Sequence, residues 1–279
     1  MLINGKKIAD NINKKTKQGV VFLKKKGLKP KVVVFLVGNL KESELYVKRK
    51  RELAGELGLN FLLKKYSEEI SEKKLIDDLV KTQKQRDVIG CIVQLPLPKN
   101  FDQKKVLSNL SPATDIDCLT DENLGRLIKQ DVLVEPPTAG AIMEILADLK
   151  IDLKGKMVVL VGAGLLVGRP VSMLLLPRGA TVMICNSKTK DLKAKTKQAD
   201  IVITGVGKKN LVDYKMIKKG AVVIDAGFVY ENGKVFGDVA WEKIHKKGGT
   251  VTPTPGGVGP ITVAKLFHNA IICGKEKLR

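Results

Sequence analysis

Apolar and polar positions along this chain alternate between two periods. Residues 1–27 carry Ile8, Ile12, Val20, Val21 and Leu23 at helical spacing among lysines, which predicts an amphipathic helix. Lys29-Pro30 breaks it, and a continuous apolar run at 31–37 predicts a buried strand. A turn at Gly38-Asn39 leads into a helix reaching residue 59. Then come a strand at 60–64, a helix at 71–82 with Ser71 as its N-cap, and a buried strand at 88–95 ending in Pro96-Leu97-Pro98. Strands alternating with helices predict βαβ units and a parallel sheet.

Pro136-Pro137-Thr138 marks a boundary, followed by a helix at 139–149. Strands are expected at 156–161, 180–185, 200–205 and 221–225, with a hairpin at 229–236 around Asn232-Gly233. Residues 252–262 hold three glycines and three prolines, a shaped backbone built for close approach, before a last helix at 262–273. The fold class is α/β: an N-terminal α/β catalytic domain at 1–138, then a Rossmann-type domain at 139–261.

Candidate chemistry lies on both sides of the boundary. Tyr46 and Lys50 are four apart and share one helix face, a phenol beside an amine that can handle protons once partly desolvated. Gln94 lies at the carboxyl end of a strand, where open α/β sheets place ligands, and its neutral amide can bond a lysine without fixing its charge. Asp115-Ile116-Asp117 offers two acids in a loop that could cap a helix, hold a cation or bind a heterocycle. The strand at 156–161 runs into Gly162-Ala163-Gly164 with Gly168 opening the next helix, a strand–turn–helix suited to a dinucleotide pyrophosphate. The next strand ends in Asn186-Ser187-Lys188-Thr189 rather than in an acid for the ribose hydroxyls. Ser187 and Lys188 could hold a 2′-phosphate, which favours NADP over NAD. Gly205 and Gly227 stand at the ends of two further strands.

Composition narrows the classes. The formal charge of +21 comes from 50 Lys and Arg against 29 Asp and Glu. The lysines are spread over most helices, aromatics make up 4%, and no nucleic-acid-binding motif is visible, so solvated surface is the reading and nucleic acid is not an expected partner. No apolar run reaches the roughly 20 residues of a membrane span. A cytoplasmic address and no membrane partner are expected. Cys91, Cys118, Cys185 and Cys273 are scattered without metal-ligand spacing, so no metal site is expected.

Val37-Gly38, Ser43-x-x-Tyr46-x-x-x-Lys50, the run from Val93 to Pro98, Asp115-x-Asp117, Val167-Gly168-x-Pro170, Ser187-Lys188-Thr189 and the run from Pro255 to Pro260 follow one another collinearly. The set resembles the bifunctional methylenetetrahydrofolate dehydrogenase/cyclohydrolase family. The resemblance implies a folate cleft between the two domains, a last helix (262–279) returning to the first domain, and a homodimer formed through the cofactor domain. It implies that Lys50 is the acid/base residue and that Gln94 tunes and orients it. Tyr46 would stack on the folate, with Ser43 beside it, and Asp117 would bind the pterin. Pro255, Gly256, Gly257 and Pro260 would close over the substrate. Gly162, Ala163, Gly164, Gly168, Ser187, Lys188, Gly205, Gly227 and Phe228 would hold NADP. The chain departs from the family at Ala163, where an arginine is usual, and at Thr114, Cys118, Pro137, Ala139 and Asn186.

Other readings are weaker. A short-chain dehydrogenase places Tyr-x-x-x-Lys after the nucleotide fingerprint, the reverse of the order here. A shikimate-dehydrogenase-like reductase leaves Gln94 and the 255–260 loop unexplained. A basic binding protein on a retired scaffold leaves Lys50, Gln94 and Asp117 without a purpose.

Overall fold

A computed structural model describes the backbone of residues 1–279 and all side chains except those of Lys41 and Glu42. The chain divides into two compact units, one of residues 11–137 and 263–279, the other of residues 1–10 and 138–262.

In chain order the first elements are α1 (Gly5–Lys25), β1 (Lys31–Val37), α2 (Lys41–Leu57), β2 (Asn60–Tyr66), α3 (Glu72–Gln83), β3 (Val88–Val93), α4 (Gln103–Ser108) and α5 (Asp121–Lys129). The strands form a parallel sheet in the order β2-β1-β3, with β1 central, and apolar and buried from Val32 to Val37. Asp115 adds an isolated parallel bridge beside Cys91 of β3, so the segment that carries Asp117 runs along that edge. On α1, Ile8, Ile12, Val20 and Leu23 are buried, while Val21 is 53% exposed. The helical period turns Val21 about a quarter of the circumference away from its neighbour Val20, which leaves it on the solvent side. Ser71 caps α3 as expected, its hydroxyl accepting from the Lys74 N–H at 3.3 Å. β3 ends at Val93, two residues short of the expected end, and α4 and α5 lie where no element was expected.

The second unit contains α6 (Pro137–Asp148), β4 (Met157–Val161), α7 (Gly168–Leu175), β5 (Thr181–Cys185), α8 (Leu192–Thr196), β6 (Ile201–Thr204), β7 (Val222–Asp225), the hairpin β8 (Val229–Glu231) and β9 (Lys234–Phe236), α9 (Trp241–Lys246) and β10 (Thr250–Val251). Its parallel sheet has the order β10-β7-β6-β4-β5. The chain leaves β4 first to one side and then, after β5, to the other, so the carboxyl end of β4 is the point where the winding reverses. Asn232 and Gly233 both have positive φ, 50° and 76°, as the tight hairpin turn requires. Residues 1–10 belong here rather than with the first unit. Leu2 bridges to Val251, the Ile3 N–H donates to Val251 O at 3.0 Å and the Gly5 N–H to Gly256 O at 3.2 Å, so the amino end extends the β10 edge.

The last helix, α10 (Val258–Glu276), begins four residues earlier than the sequence suggests. Pro260 therefore sits in its first turn, where a missing N–H costs nothing. From residue 263 onward α10 packs within the first unit: Phe267, Ala270 and Ile271 are buried with Leu23 and Ile89. Asn269 Nδ2 donates to the carbonyls of Ile116 at 2.9 Å and Glu135 at 2.8 Å. Among the described residues no helix is long and apolar enough to cross a membrane.

Phe267→Ala empties a fully buried site on α10, and the expected cost is about 3–5 kcal/mol of stability. Urea unfolding followed by circular dichroism reads it as a lowered midpoint.

Candidate active site

In α2 the buried positions are Ser43, Val47, Lys50, Ala54 and Leu57. Their spacing of four, three, four and three is that of the inward stripe of a helix. Lys50 thus occupies a core position, 8% exposed, instead of snorkelling to water. Its Nζ donates to Gln94 Oε1 at 3.0 Å, while Gln94 Nε2 donates to Leu95 O at 2.9 Å. That second bond commits the amide nitrogen, so the oxygen is the atom offered to the lysine. The Gln94 N–H donates to Phe35 O at 2.9 Å, holding the residue just past the end of β3.

Burial pushes the Lys50 pKa down, and the negative charge of Asp117 pulls it partly back. Asp117 moves the opposite way: burial pushes its carboxyl up, Lys50 lowers it and Asp115 raises it further. Burial thus drives both groups toward their neutral forms, while each one's charge opposes the other's shift. Tyr46, half-buried one turn before Lys50, has its phenol pushed up to about 12 by burial against the lowering charge of Arg49, so it stays protonated.

Asp115 resolves one of the alternatives left open for the paired acids. It is fully buried, and its Oδ2 accepts from the N–H groups of Leu119 and Thr120 at 2.8 Å each and from Asn123 Nδ2 at 3.0 Å. Asp115 therefore clamps the turn into α5, and Asp117 is the acid coupled to Lys50. Cys118 has φ of 57°, a conformation that glycine adopts more readily. The Asn269 bond to Ile116 O fastens the same segment from α10. Sequence reading missed Asn269, although an asparagine amid Phe267, Ala270, Ile271 and Ile272 is a signal of a buried polar anchor.

The second unit gathers the glycines at the carboxyl ends of its strands. Gly162 has φ of 123°, and a Cβ there would lie 2.9 Å from Gly205 O. A Cβ on Gly168 would lie 2.0 Å from Gly162 O, and one on Gly205 would lie 2.7 Å from Val167. The three glycines bring the β4–α7 turn, the start of α7 and the end of β6 into contact, leaving Ala163 half-buried and Gly164 exposed. Arg169 Nε donates to Ala163 O at 3.0 Å and bridges this turn. Past β5, the Lys188 N–H donates to Asn186 Oδ1 and the Asn186 N–H to Thr189 Oγ1, each at 2.9 Å, which presents Ser187 and Lys188 to solvent.

Two acids in this unit escaped the sequence reading. Asp225 Oδ1 accepts from Thr204 Oγ1 and the Gly227 N–H at 2.9 Å and from the Asp238 N–H at 3.1 Å; Oδ2 accepts from the Val239 N–H at 3.0 Å and Thr254 Oγ1 at 3.2 Å. Asp238 accepts from the Val206 N–H at 2.7 Å and the Lys208 N–H at 2.6 Å. Gly227 lies against Asp238, and the Phe228 carbonyl faces Gly207. The only hint in the sequence was an aspartate ending a strand two residues before a glycine. Beyond Thr254, Pro255 and Gly256 are exposed, Gly257 is buried against Thr252 and Pro253, and Gly256 has φ of 104°.

Comparison with known proteins follows the division of the chain. Residues 3–117 match the family model for the tetrahydrofolate dehydrogenase/cyclohydrolase catalytic domain, and residues 136–278 match that for the NAD(P)-binding domain of the same family. The bifunctional protein FolD of Nautilia profundicola is 42% identical over 276 residues, which cover 99% of this chain and 97% of that protein. The solved FolD methylenetetrahydrofolate dehydrogenase/cyclohydrolase of Campylobacter jejuni is similar with a TM-score of 0.94 at 37% identity, covering 99% of each chain. The Trypanosoma brucei enzyme, solved with NADP and an inhibitor, has a TM-score of 0.94 at 32% identity, covering 100% of this chain and 98% of that one. A shikimate dehydrogenase from Aquifex aeolicus shares the fold at a TM-score of 0.53 and 16% identity, covering 90% of this chain and 98% of that one.

Gln94→Glu sets a carboxylate where Lys50 now meets a neutral oxygen. The favoured ammonium should then raise the lysine's pKa by roughly one to three pH units. The pH dependence of Lys50 acylation, read by mass spectrometry, should move upward by that amount.

Proposed function

The chain belongs to the tetrahydrofolate dehydrogenase/cyclohydrolase family, and we propose that it oxidises 5,10-methylenetetrahydrofolate to 5,10-methenyltetrahydrofolate with NADP and hydrolyses that product to 10-formyltetrahydrofolate. The observation that carries this reading is the buried Lys50, held by a neutral amide and coupled to Asp117. Cyclohydrolase chemistry needs a group that collects a proton as water adds to the methenyl carbon and delivers one to the ring nitrogen as the carbon–nitrogen bond breaks. An amine with a lowered pKa can do both. Gln94 aims that amine without locking its charge. Asp117 binds the pterin, and its charge meets that of Lys50. Tyr46 offers an aromatic face one turn away with a phenol that stays neutral, and Ser43 lies a further turn toward the start of α2.

NADP supplies the hydride acceptor when bound. The residues suited to hold it are Gly162, Ala163, Gly164 and Gly168 at the pyrophosphate, Gly205, Gly227 and Phe228 at the strand ends, and Ser187 and Lys188 at the 2′-phosphate. The contacts among the glycines fit that assignment, since a Cβ at Gly162, Gly168, Gly205 or Gly227 would strike its neighbours. The choice of NADP over NAD rests on Ser187 and Lys188 standing where an acid would serve NAD, and on the NADP complex of the Trypanosoma brucei enzyme. Pro255, Gly256, Gly257 and Pro260 are assigned to the folate. The enzyme works as a homodimer through the second unit: β5 is an edge strand of the sheet, and its Ile184 is 41% exposed. It acts in the cytoplasm, in one-carbon folate metabolism.

A spectrophotometric assay with methylenetetrahydrofolate and either nucleotide tests the reading. Formation of NADPH, with methenyl product that decays enzymatically, is the expected result; no reduction by folded protein with either nucleotide overturns it. Lys50→Met should lower cyclohydrolase turnover at least about 100-fold while the Kd for NADP stays within about twofold.

A further inference from the structure

Asp225 is 1% exposed, and its carboxylate is met by five donors from four places in the chain. They are the end of β6 (Thr204), the turn after β7 (Gly227), two successive N–H groups after β9 (Asp238 and Val239), and Thr254. A carboxylate is acceptor-only and can take all five, whereas an amide would set its NH2 against one group of donors. The surrounding chain is shaped to admit it. A Cβ on Gly237 would lie 1.9 Å from Asp225 Oδ2 and 2.8 Å from Thr254 Oγ1. The Asp225 N–H donates in turn to Thr252 Oγ1 at 2.8 Å, so the 252–254 segment is held from both the main chain and the side chain of one residue.

Two of these tethers reach loops to which the proposed function gives work. Gly227 belongs to the nucleotide loop, and Thr254 immediately precedes Pro255 and Gly256 of the folate loop. We propose that Asp225 is a positioning residue for hydride transfer, a single buried carboxylate that sets the folate loop against the nucleotide loop through the Thr254 hydroxyl and the Gly227 N–H. It touches neither substrate nor cofactor. Its effect falls on the distance and angle between the hydride donor and its acceptor, a quantity on which turnover depends steeply. The proton chemistry of Lys50, Gln94 and Asp117 uses none of these bonds, so the two activities should respond differently. This inference rests on the proposed function.

Thr254→Val keeps the side chain's shape and removes the carboxylate's own tether to the folate loop, leaving Oδ2 the Val239 N–H and leaving the Asp225 N–H bonded to Thr252 Oγ1. The expected result is a fall in dehydrogenase kcat of about tenfold and a raised KM for the folate, with cyclohydrolase kcat on supplied methenyltetrahydrofolate and the Kd for NADP within about twofold of the parent. Asp225→Asn disturbs both tethers, and where it folds it should also weaken NADP binding. Dehydrogenase kcat and folate KM unchanged in Thr254→Val would overturn the proposal. So would a proportional loss of both activities with both KM values unchanged, which is what a lower folded fraction produces. The parent protein, run in the same assay, keeps the two readings apart: its failure to reduce either nucleotide would count against the family activity, not against the role of Asp225.

Discussion

A lysine side chain buried in a helix seam is an expense that the first unit has to meet elsewhere. Desolvating an ammonium costs several kcal/mol even after the protein relaxes. Position 50 falls between Val47 and Ala54 on the inward stripe of α2, so the chain cannot rotate it into water without exposing those neighbours. What meets it is a neutral amide whose orientation is fixed by its own backbone and an acid that is itself disfavoured as an anion. Neither partner is strong enough to pin the lysine in its charged state. A full carboxylate at 3 Å would have favoured the ammonium instead. The clamps at Asp115 and Asn269 follow from the same constraint, because a weak electrostatic partner must be held in place by other means.

The second unit solves a different problem with similar parts. Its strand ends must come close enough for main-chain N–H groups to face a dinucleotide, and the glycines remove the side chains that would keep them apart. Close approach alone leaves flexible loops. Asp225 and Asp238 supply order by accepting hydrogen bonds from loop amides and hydroxyls, and burial makes each such bond harder to exchange for water. Order in this unit thus comes from buried acceptors, and openness from missing Cβ atoms.

Much of this was legible in the sequence because it is written locally. The apolar run of β1, the Ser71 cap, the Asn232-Gly233 turn and the glycine spacing after β4 each depend on a few adjacent residues. The Tyr46/Lys50 face follows from the helical period alone. What could not be read depends on distant partners. α4, α5 and α9 are short helices whose formation owes more to tertiary contacts than to propensity. Asp115 and Asp117 look alike in the chain, and only their neighbours separate a turn clamp from a charge partner. Asp225 reads as one more strand-end residue until Thr204, Gly227, Val239 and Thr254 are seen converging on it. Membership of residues 1–10 in the second unit depends on pairing with residues near 251, which no local pattern announces.

That last feature bears on how the protein comes into being on the ribosome. Each unit is discontinuous: the one built on 138–262 takes its outer edge from residues 1–10, made well before it, and the other takes its closing helix from 263–279. The amino-terminal segment therefore waits through most of translation for the strand it will lie beside. The Lys50 unit lacks Phe267 and Asn269 until the carboxyl-terminal residues emerge. The unit built on 138–262 has its early edge already made when that stretch is synthesised, whereas the Lys50 unit cannot be completed until residues 263–279 have followed.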